Sequence, residues 1–416
     1  MKKKILVIGS GGREHAIVKA LKKSDKVEKI FCAPGNAGIA RDAECVAIGP
    51  EDIEALVNFA QRNEIDLTIV GPEASLAAGI SDAMEALGLK VFGPSKAATQ
   101  IESSKEFAKK LMKKYNIPTA DYQSFEDFEK ALEYVKKSKM PTVIKYDGLA
   151  AGKGVVIAEN LEEAEAALRD MLLDKSFGGG KVVIEEFLSG PEFSFMAMVN
   201  GDKVYPLEIA QDHKRAYDGD RGPNTGGMGA FSPVEFITPE IKERALKEIL
   251  QPTARALKEE GVPFLGLLYG GLILTEEGPK VIEFNARFGD PETEVVLPRL
   301  KSDFLDLIEA VIEGKDFKTE WSPDACLGVV LASKGYPGSY KKGSEIKGLE
   351  NVKAQICHMG TKLENDKLLT AGGRVLMVIG SGKTVEEANR NCREEIAKID
   401  CPDLFHRTDI GKAVLN

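Results

Sequence analysis

The stretch Lys280-Val-Ile-Glu-Phe-Asn-Ala-Arg-Phe-Gly-Asp-Pro-Glu-Thr-Glu294 organises the rest of the chain. Its β-branched and aromatic residues predict a strand that breaks into a polar run closed by a proline. Side chains alternate between the two faces of a strand, so we expect Glu283, Asn285 and Arg287 to share one face. The intervening apolar side chains would pack on the other.

This polar face has the chemistry of an ion-binding site. A carboxylate and an amide oxygen, as in Glu283 and Asn285, suit Mg²⁺ that keeps some waters and shares phosphate oxygens. The neighbouring Arg287 suits an anion held by two parallel hydrogen bonds. The alternative is a surface strand end with a charged, solvated tip, and the stretch alone does not decide between the two.

Composition indicates a soluble globular protein. The 416 residues predict about two to four domains, with 43% hydrophobic and 29% charged residues. The net charge of −9 provides no basic surplus to neutralise nucleic-acid phosphates, so we expect no nucleic-acid partner. A local basic site for a small anion is still compatible with that charge.

Cysteines, histidines and hydropathy indicate the compartment. The six cysteines are scattered without a Cys-x-x-Cys pair, and the chain has four histidines, which disfavours a zinc site or a disulfide framework. The N-terminal apolar run is too short for a signal peptide and no run approaches transmembrane length, so we expect a cytoplasmic protein without a membrane partner.

The first hundred residues alternate strands and helices, which predicts a parallel sheet with crossover helices. Predicted strands cover residues 5–8, 29–32, 67–70 and 90–92, and predicted helices cover 14–23, 50–61 and 81–87. Each strand runs into a Gly or Pro turn. Ligands bind at the carboxyl ends of strands in open parallel sheets, so these turns are candidate ligand contacts.

The turn after the first strand, residues 9–15, reads Gly-Ser-Gly-Gly-Arg-Glu-His. It does not match a dinucleotide fingerprint, because Glu14 stands where the third glycine is required. Glycines that open a helix can still bind a single phosphate through backbone N–H groups, with Arg13 alongside. A tight turn without a ligand is the alternative, and we favour phosphate binding.

A smaller unit follows a charged connecting helix predicted at 102–120. Predicted strands at 142–145 and 155–158 flank a small-residue loop, Lys145-Tyr-Asp-Gly-Leu-Ala-Ala-Gly-Lys-Gly154, and helices are predicted at 125–138 and 161–173. The loop is not a Walker A sequence, since it precedes a strand. Its two lysines favour a mobile flap over bound phosphates, and a plain β-hairpin is the alternative.

Two further segments carry candidate ligand contacts. A strand at 182–187 leads through Leu-Ser-Gly-Pro to Glu192. Backbone groups there could contact an adenine edge and Glu192 a ribose, although the segment by itself is better explained as an ordinary hairpin. Residues 205–232 are long, polar and rich in Asp, His, Lys and Gly, so we predict a binding loop.

The remaining sequence predicts a helix at 239–260 and strands at 265–269 and 272–275. The strand that carries Glu283 and Asn285, which we call the metal strand, follows them, and a helix is predicted at 302–314. From 325 the composition changes, with predicted strands at 328–331 and 374–379 and a helix at 385–398. This closing part contains no constellation that we interpret as catalytic.

The order of these motifs resembles the ATP-grasp ligases. Four blocks resemble the glycinamide ribonucleotide synthetase family within them, namely residues 9–15, 145–154, 221–229 (Arg-Gly-Pro-Asn-Thr-Gly-Gly-Met-Gly) and 285–292. The resemblance covers essentially the whole chain. It implies an α/β fold, α+β in parts, with a Rossmann-like N-terminal domain (1–102), a two-lobed ATP-grasp core (103–324, flap lobe about 120–190) and a small C-terminal α+β domain (325–416).

The resemblance also implies an activity and its residues. Members of the family ligate glycine to 5-phosphoribosylamine with ATP and Mg²⁺ or Mn²⁺, through an acyl phosphate, in purine biosynthesis. Binding of ATP would fall to Lys105, Lys145, Gly152, Lys153, Gly154, Glu185, Glu186, Phe187, Leu188 and Glu192, and binding of the metal to Glu283 and Asn285. The acceptor site would use Arg287, Asp212, Asn224, Thr225, Gly226, Gly227, Met228 and Asp290, with Gly11, Gly12 and Arg13 on the ribosylamine phosphate. Of these, Arg287, Lys145 and Asp212 are the catalytic candidates.

The sequence departs from the ATP-grasp pattern at one place, and alternative functions have to be considered. Many ATP-grasp enzymes carry another metal carboxylate on the preceding strand, but residues 267–274 contain no acid, so we expect one metal to be held mostly by ATP and water. The nearest rival is another ATP-grasp ligase or carboxylase, which the blocks at 224–229 and 287–292 disfavour. A non-catalytic nucleotide-binding protein would have lost Lys145 or Glu283. We expect a monomer.

Overall fold

The computed structural model describes residues 2–150 and 154–412 of the chain. Its described part contains a five-stranded parallel sheet, a four-stranded and a nine-stranded antiparallel sheet, and two two-stranded ribbons. This is the mixed α/β and α+β architecture predicted from the sequence. Within the same residues, no helix has the length and apolar character needed to span a bilayer.

The N-terminal sheet has five parallel strands in the order β3-β2-β1-β4-β5. The strands are β1 (Lys3–Gly9), β2 (Val27–Pro34), β3 (Glu44–Cys45), β4 (Leu67–Val70) and β5 (Val91–Phe92). Residues 5–8 of the central strand are fully buried, as their continuous apolar run predicts for a sheet covered on both faces. The four predicted strands are confirmed; the two-residue edge strand β3 is too short to leave a pattern.

Four helices accompany this sheet: α1 (Gly12–Leu21), α2 (Ile53–Arg62), α3 (Glu73–Ala78) and α4 (Ile80–Glu85). The helix predicted at 81–87 corresponds to α4, whereas α3 was not predicted; the two short helices meet at Gly79, whose φ of 98° is left-handed. The start of α2 is set by Asp52, whose side chain accepts a hydrogen bond from the Ala55 N–H at 3.1 Å.

The connecting segment consists of α5 (Gln100–Ser103) and α6 (Lys105–Lys114). The prediction of a single helix in the segment 102–120, ending at residues 116–118, is wrong, since the chain is extended at Ser104 and α6 ends at Lys114. Ser104 is the N-cap of α6, and its hydroxyl accepts a hydrogen bond from the Phe107 N–H at 3.1 Å. This break matters for the site because it fixes where α6 begins.

The flap lobe is a four-stranded antiparallel sheet in the order β6-β9-β7-β8. Its elements are β6 (Tyr122–Phe125), α7 (Phe128–Lys137), β7 (Thr142–Tyr146), β8 (Val155–Ala158), α8 (Leu161–Leu168) and β9 (Val182–Glu186). A π-helical turn, Arg169–Leu173, continues α8. The polar strand β6 was not predicted, and α7 begins later than expected because Asp127 caps it.

The largest sheet joins the middle of the chain to its C-terminal part. Its main path runs β16-β15-β10-β11-β14-β17-β21-β18, and β22 pairs with β17. The strands from this point on are β10 (Glu192–Asn200), β11 (Lys203–Asp212), β12 (Arg215–Tyr217), β13 (Arg221–Asn224), β14 (Gly229–Ser232), β15 (Leu265–Thr275), β16 (Gly278–Asn285), β17 (Ala325–Ser333), β18 (Gln355–His358), β19 (Thr361–Glu364), β20 (Lys367–Thr370), β21 (Arg374–Gly382) and β22 (Leu404–Phe405). Strands β12 and β13 pair as one ribbon, and β19 and β20 as the other.

The helices of this half are α9 (Pro239–Ala245), α10 (Gln251–Glu259), α11 (Thr293–Val296), α12 (Phe304–Ile312) and α13 (Val385–Ile396). The predicted helix at 239–260 is interrupted by a π-helical turn, Leu246–Leu250. The two strands predicted at 265–275 form one continuous strand, because the central glycines pair with β10 without a break.

Two predictions about connections are wrong. The segment 205–232 is not a loop, since four strands cross it. The hairpin considered around residues 188–191 does not exist, because β9 and β10 belong to different sheets. The segment therefore links the flap lobe to the large sheet, and it places Glu186–Glu192 at the boundary between them.

Apolar clusters on both faces of the large sheet form the core. Along β10, Phe195 packs into one cluster and Met196 into the other, as alternation requires. The second cluster also contains Ile5 and Val7 of β1, so the N-terminal sheet packs against that face. A separate small core around Ile144 stabilises the flap lobe.

Candidate active site

The metal strand β16 carries a β-bulge that interrupts the predicted strict alternation. Glu283 lies opposite Gly271 of β15, and Ile282 is the extra residue between two paired positions. The Ile282 carbonyl oxygen accepts a hydrogen bond from Lys145 Nζ at 2.9 Å. The bulge thus ties β16 to the flap lobe at the residue before Glu283.

Lys145 belongs to a buried group that we call the lysine triad, made of Lys109, Lys145 and Glu185. Lys145 Nζ lies 3.0 Å from Glu185 Oε1, and Lys109 Nζ lies 2.9 Å from Glu185 Oε2. All three side chains are almost fully buried. Lys109 was missed in the sequence, because it reads as one more lysine of a charged helix.

The triad changes the expectation for Glu185. Its side chain is held by the two lysines, and its backbone pairs with both β6 and β7 inside the flap sheet. Neither is free to contact a nucleotide base. The residues that follow are more open, since Phe187 is 42% exposed and Leu188 is half-buried.

Lys105 begins α6, and its Nζ donates to the Glu102 carbonyl at 3.2 Å. Asp147, at the start of the flap loop, accepts hydrogen bonds from the Ser104 hydroxyl and the Glu106 N–H, each at 3.1 Å. The flap loop is therefore anchored at the end of α6 that carries Lys105. The predicted flap residues Gly152 and Lys153 lie outside the described residues, and the Gly154 carbonyl accepts from the Tyr146 N–H at 2.8 Å.

Glu192 extends from the start of β10 and binds a lysine that the sequence reading left unassigned. Lys214 Nζ donates to Glu192 Oε2 at 2.7 Å. Neighbouring Glu192 and Asp212 raise the pKa of Lys214 well above its usual value although burial opposes them, so its ammonium is firmly charged. In the sequence, Lys214 is one of several charged residues in the polar segment 205–232, and its contact with Glu192 depends on how β10 and β11 are placed.

Glu283 and Asn285 are half-buried and supply two oxygen donors. Burial would raise the pKa of Glu283, but Lys105, Lys214 and Lys145 outweigh it and the pKa is lowered, so the carboxylate is ionised. Among residues 2–150 and 154–412, no cluster of three or more His, Cys, Asp or Glu side chains is arranged around a metal position. An ionised carboxylate with an amide oxygen fits Mg²⁺ or Mn²⁺ that takes its other ligands from phosphate and water.

Arg287 lies beyond β16, which ends at Asn285, so strand alternation does not place it. Its guanidinium lies 3.3 Å from carboxylates of Glu73 and Glu102 and donates to Asn285 Oδ1 at 3.3 Å. Burial would lower its pKa, but the two glutamates raise it instead. Arg287 therefore joins the N-terminal sheet to the metal strand and orients the Asn285 amide.

The glycine turn at the start of α1 already contains a negative charge from the chain itself. Glu14 Oε2 accepts from the Gly11 N–H at 2.6 Å, and Glu14 Oε1 lies 2.5 Å from Arg13 Nε. Arg13 also donates to the Phe288 carbonyl at 3.2 Å. The predicted phosphate contact of Gly11 is therefore engaged by Glu14, whereas the N–H groups of the first helical turn have no intrahelical acceptor.

Asn224–Met228 and Asp290 are brought together by an arginine of the C-terminal part. Arg374 Nη1 donates to the Gly226 carbonyl at 2.7 Å and lies 2.9 Å from Asp290 Oδ1. Gly227 has a φ of 109°, and its Cα packs against Pro291, which leaves no room for a side chain. Within the segment, the Thr225 hydroxyl accepts from the Gly227 N–H at 3.0 Å, Met228 is buried and Asn224 is exposed.

Asp290, Glu292, Glu294 and Arg374 form a group that we call the acidic cluster. Glu292 accepts from the Ser194 hydroxyl at 2.9 Å and from the Tyr269 hydroxyl at 2.7 Å. Glu294 is fully buried, and neither carboxyl oxygen has a hydrogen-bond partner in the described residues. Burial and the charge of Asp290 raise the pKa of Glu294 well above its usual value, which favours the neutral form of this carboxyl group.

Asp212, at the end of β11, has an unusual titration. Burial raises its pKa to about 7, and the charges of Glu292 and Glu192 add to that effect while Lys214 opposes it. A carboxylate with a pKa near neutrality can both accept and release a proton in that range. Asp212 is thus close enough to Lys214, Glu192 and Glu292 for their charges to act on it.

Comparisons with known proteins cover the whole chain. The Phosphoribosylglycinamide synthetase N domain matches residues 3–102, the ATP-grasp (A) domain 103–293 and the C domain 326–413. The chain belongs to the phosphoribosylglycinamide synthetase family. The family resemblance and the ATP-grasp fold predicted from the sequence are thereby confirmed, and the protein is an ATP-dependent ligase.

Relatives and solved structures agree with this assignment. The chain is 55% identical over 415 residues to phosphoribosylamine–glycine ligase of Halalkalibacterium halodurans, covering 99% of this chain and 97% of the relative. It is 53% identical to that of Listeria monocytogenes EGD-e over 98% and 99% of the two chains. The crystal structure of phosphoribosylamine–glycine ligase from Thermotoga maritima superposes with a TM-score of 0.87 at 36% identity, covering 98% of this chain and 99% of that one.

The rival predicted from the sequence shares the fold. The biotin carboxylase domain of a Hydrogenobacter thermophilus carboxylase superposes with a TM-score of 0.73 at 18% identity, covering 98% of this chain and 92% of that one. An identity this low shows a common fold and leaves the chemistry to the residues of the site.

Proposed function

We propose that this chain is a phosphoribosylamine–glycine ligase, which converts ATP, glycine and 5-phosphoribosylamine to ADP, phosphate and glycinamide ribonucleotide in de novo purine biosynthesis. The observation that carries the proposal is the end-to-end identity of 55% over 415 residues with a relative of that name. The site supports the proposal, because it contains lysines and an ionised carboxylate suited to a metal ion. Phosphoryl transfer to a carboxylate substrate needs charge neutralisation and does not need a protein nucleophile.

The nucleotide would lie between the flap lobe and the large sheet. Its phosphates would contact Lys105 and Lys145, with Lys214 as an added cation and the Gly152–Gly154 loop over them. We assign adenine to the backbone of Glu186–Leu188, since Glu185 is engaged in the lysine triad. Glu192 would accept from the ribose hydroxyls, in exchange for part of its contact with Lys214.

Glu283 and Asn285 would hold Mg²⁺ or Mn²⁺. When bound, the ion neutralises charge on the phosphate oxygens. The opposite position on β15 is Gly271, which supports the expectation that the chain supplies few ligands to a second ion. Arg287 would keep the Asn285 amide oxygen oriented towards the metal through its 3.3 Å hydrogen bond.

The reaction would proceed in two displacements. A glycine carboxylate oxygen attacks the γ-phosphorus, the bond to the β-phosphate oxygen breaks, and ADP leaves. The ribosylamine nitrogen then attacks the acyl carbon of glycyl phosphate, the carbon–oxygen bond to phosphate breaks, and the nitrogen loses a proton. Lys105 and Lys145 position and neutralise the phosphates in the first step, which needs charge stabilisation more than covalent help.

The acceptor would lie next to the acidic cluster. Asp212, with a pKa near 7, is positioned to accept a hydrogen bond or proton from an amine, and Asp290 faces the same region with the Asn224–Met228 segment. We assign the ribosylamine phosphate to the first turn of α1, at Gly12 and Arg13, because the Gly11 N–H is engaged by Glu14.

We also propose the domain boundaries, the oligomeric state and the cellular location of the protein. The boundaries 1–102, 103–324 and 325–416 would describe sequence modules, although β14 and β17 join the last two in one sheet. The net charge of −9 supports a protein without a nucleic-acid partner. We propose a cytoplasmic monomer that acts on free metabolites.

The test is ADP release by the purified protein with ATP, Mg²⁺, glycine and freshly prepared 5-phosphoribosylamine. We expect release that requires both co-substrates, and transfer of one ¹⁸O from labelled glycine carboxylate to the phosphate product. Bicarbonate in place of glycine tests the carboxylase alternative and should give background rates. Release that is unaffected by omitting glycine or the ribosylamine would contradict the proposal.

A further inference from the structure

Lys109 is a buried lysine on the helix that carries Lys105, a proposed ATP contact. It follows Lys105 by four residues on α6, so the two lysines lie on one face of the helix. Lys105 is half-exposed, whereas Lys109 is 2% exposed. A lysine is rarely buried to this extent without a specific partner.

Oxygen atoms of the chain surround the Lys109 ammonium. It donates to Thr119 Oγ1 at 2.8 Å and to the Ala120 carbonyl at 3.2 Å, and it forms an ion pair with Glu185 Oε2 at 2.9 Å. With these three oxygens around it and 2% of the residue exposed, Lys109 is not open to a ligand. Any effect of Lys109 on a ligand must therefore pass through Glu185 or through the Thr119 contact.

Lys145 differs in this respect. Within the described part of the chain it contacts two acceptors, Glu185 Oε1 at 3.0 Å and the Ile282 carbonyl at 2.9 Å. One of its N–H donors is then available to a phosphate. The Thr119 hydroxyl, which accepts from Lys109, donates to the Val281 carbonyl at 2.7 Å, so both lysines are anchored to consecutive residues of β16.

The charges of the triad explain what the second lysine adds. Glu185 alone would neutralise Lys145 and compete with a phosphate for it. With Lys109 on its other oxygen, the carboxylate is shared, and the buried group keeps one net positive charge. At a partly buried site such a charge acts on a phosphate a few ångström away with less screening than in water.

We propose that Lys109 is a positioning residue of the nucleotide site, which holds Glu185 between two ammonium groups and so gives the triad a net positive charge for the ATP phosphates. The proposal rests on the proposed function in one respect, namely that Lys145 contacts those phosphates. Lys109 itself does not touch the nucleotide.

The titration of Lys109 gives the proposal a measurable signature. Burial lowers the pKa of Lys109 to about 8, although Glu185 and Glu186 of β9 raise it, and Lys145 of β7 lowers it further. The only other group facing it from the flap sheet in the described residues is the Tyr122 ring of β6, 5.7 Å from Nζ. Above this pKa the triad becomes neutral, so ATP affinity should fall as pH rises through about 8.

The experiment measures ATP binding by calorimetry with Mg²⁺ and without glycine, from pH 6.5 to 9.5, for the full chain and its variants. Lys109→Met should weaken ATP binding about tenfold at pH 7, as expected for one lost charge near a phosphate. Its affinity should not change further with pH, and the wild type should approach it above pH 8. Lys113→Met, one turn along α6 at an exposed position, is the matched control and should bind as the wild type does.

Lys109→Arg provides a rescue, because arginine stays protonated throughout this range. It should retain affinity at pH 9.5, which a purely structural role would not produce. If Lys109→Met does not fold, Lys109→Gln and the wild-type pH profile test the same point. Unchanged ATP affinity in a folded neutral variant, or no alkaline loss in the wild type, overturns the proposal. Failure of the proposed function would appear separately, as absent ADP release from a wild type that binds ATP.

Discussion

The lysine triad and the acidic cluster are both buried, but their charges are balanced in opposite ways. The triad has two ammonium groups around one carboxylate, and each group has a close ionic partner. The acidic cluster has three carboxyl groups for one guanidinium, and Glu294 has no partner among the described residues. The first arrangement is complementary to phosphate, and the second to the N–H and O–H donors of an acceptor.

The difference in charge shows how one site can serve two reaction steps, phosphoryl transfer and attack by the amine, in two different regions. A surplus positive charge stabilises the anions of phosphoryl transfer. A surplus of carboxyl groups would repel those anions, and burial reduces this repulsion because it raises the pKa of Glu294 and so favours its neutral form. Asp212, with its pKa near 7, is influenced by Lys214 and Glu192 as well as by Glu292 of the acidic cluster. The following predictions test this division, from the largest expected effect to the smallest.

Glu283→Ala removes the ionised oxygen donor next to the triad. We expect turnover to fall at least about a thousandfold, because the metal ion that binds the ATP phosphates loses the only carboxylate ligand that β16 provides. Circular dichroism and the melting temperature should stay near those of the wild type. Glu277→Ala, on the exposed turn of the same hairpin, is the control and should keep full activity. Near-normal turnover in Glu283→Ala would refute the metal role.

Arg374→Met breaks the contact that joins Asp290 to the Gly226 carbonyl. We expect kcat/KM for the ribosylamine to fall about 100-fold, or about 2.7 kcal/mol, since the segment and the carboxylate are both released. The KM for ATP should be unchanged, because the triad is not involved. Arg390→Met on the exposed face of α13 serves as control. Equal losses in both substrates would mean that the two regions are not independent.

Asp212 should set an acidic limb in the pH–rate profile. If its carboxylate accepts a proton or hydrogen bond from the amine, kcat/KM for the ribosylamine declines as pH falls below about 7. Glu292→Gln removes a neighbouring charge that raises this pKa, so the limb should move to lower pH. Asp202→Asn, in an exposed ion pair with Lys258, should not move it. A limb that stays in place in Glu292→Gln contradicts the assignment to Asp212.

Glu294→Gln should have the smallest effect and a defined sign. The folded-state pKa of Glu294 is raised, so its contribution to stability is present below the unfolded pKa and is lost as pH rises through the folded pKa. A neutral amide of similar shape avoids that loss, and the variant should gain roughly 1 kcal/mol over the wild type at alkaline pH. Urea unfolding between pH 5 and 9 measures this. Exposed Glu350→Gln should show no such trend.

Much of the fold could be predicted because the chain has strong local patterns. The continuous apolar run at residues 5–8 and the apolar strand at 67–70 matched the structure closely. Errors occurred where tertiary pairing overrides a local signal. The polar segment at 205–232 forms strands because its backbone pairs with β10, with β17 and with itself. The residues at 188–191 connect two sheets although their composition suggests a hairpin.

The site was predicted less completely, for a physical reason that the two buried groups illustrate. Lys145, Glu283 and Asn285 belong to local motifs, and the structure brings them close enough for the lysine to influence the pKa of the carboxylate. Lys109 and Arg374 belong to no local motif, and each acts on a residue distant in sequence. Lys214 was visible only as part of a charged segment.

The sequence by itself determined the family, the class of chemistry and the residues whose local motifs carry it, because those motifs are contiguous and side-chain chemistry is fixed by residue type. The tertiary structure alone decided how the charges are shared. It made Glu185 a partner of two lysines, engaged Gly11 with Glu14, bulged Ile282 towards Lys145 and raised the pKa of Glu294. Burial and through-space proximity set these properties, and neither can be read from spacing along a chain.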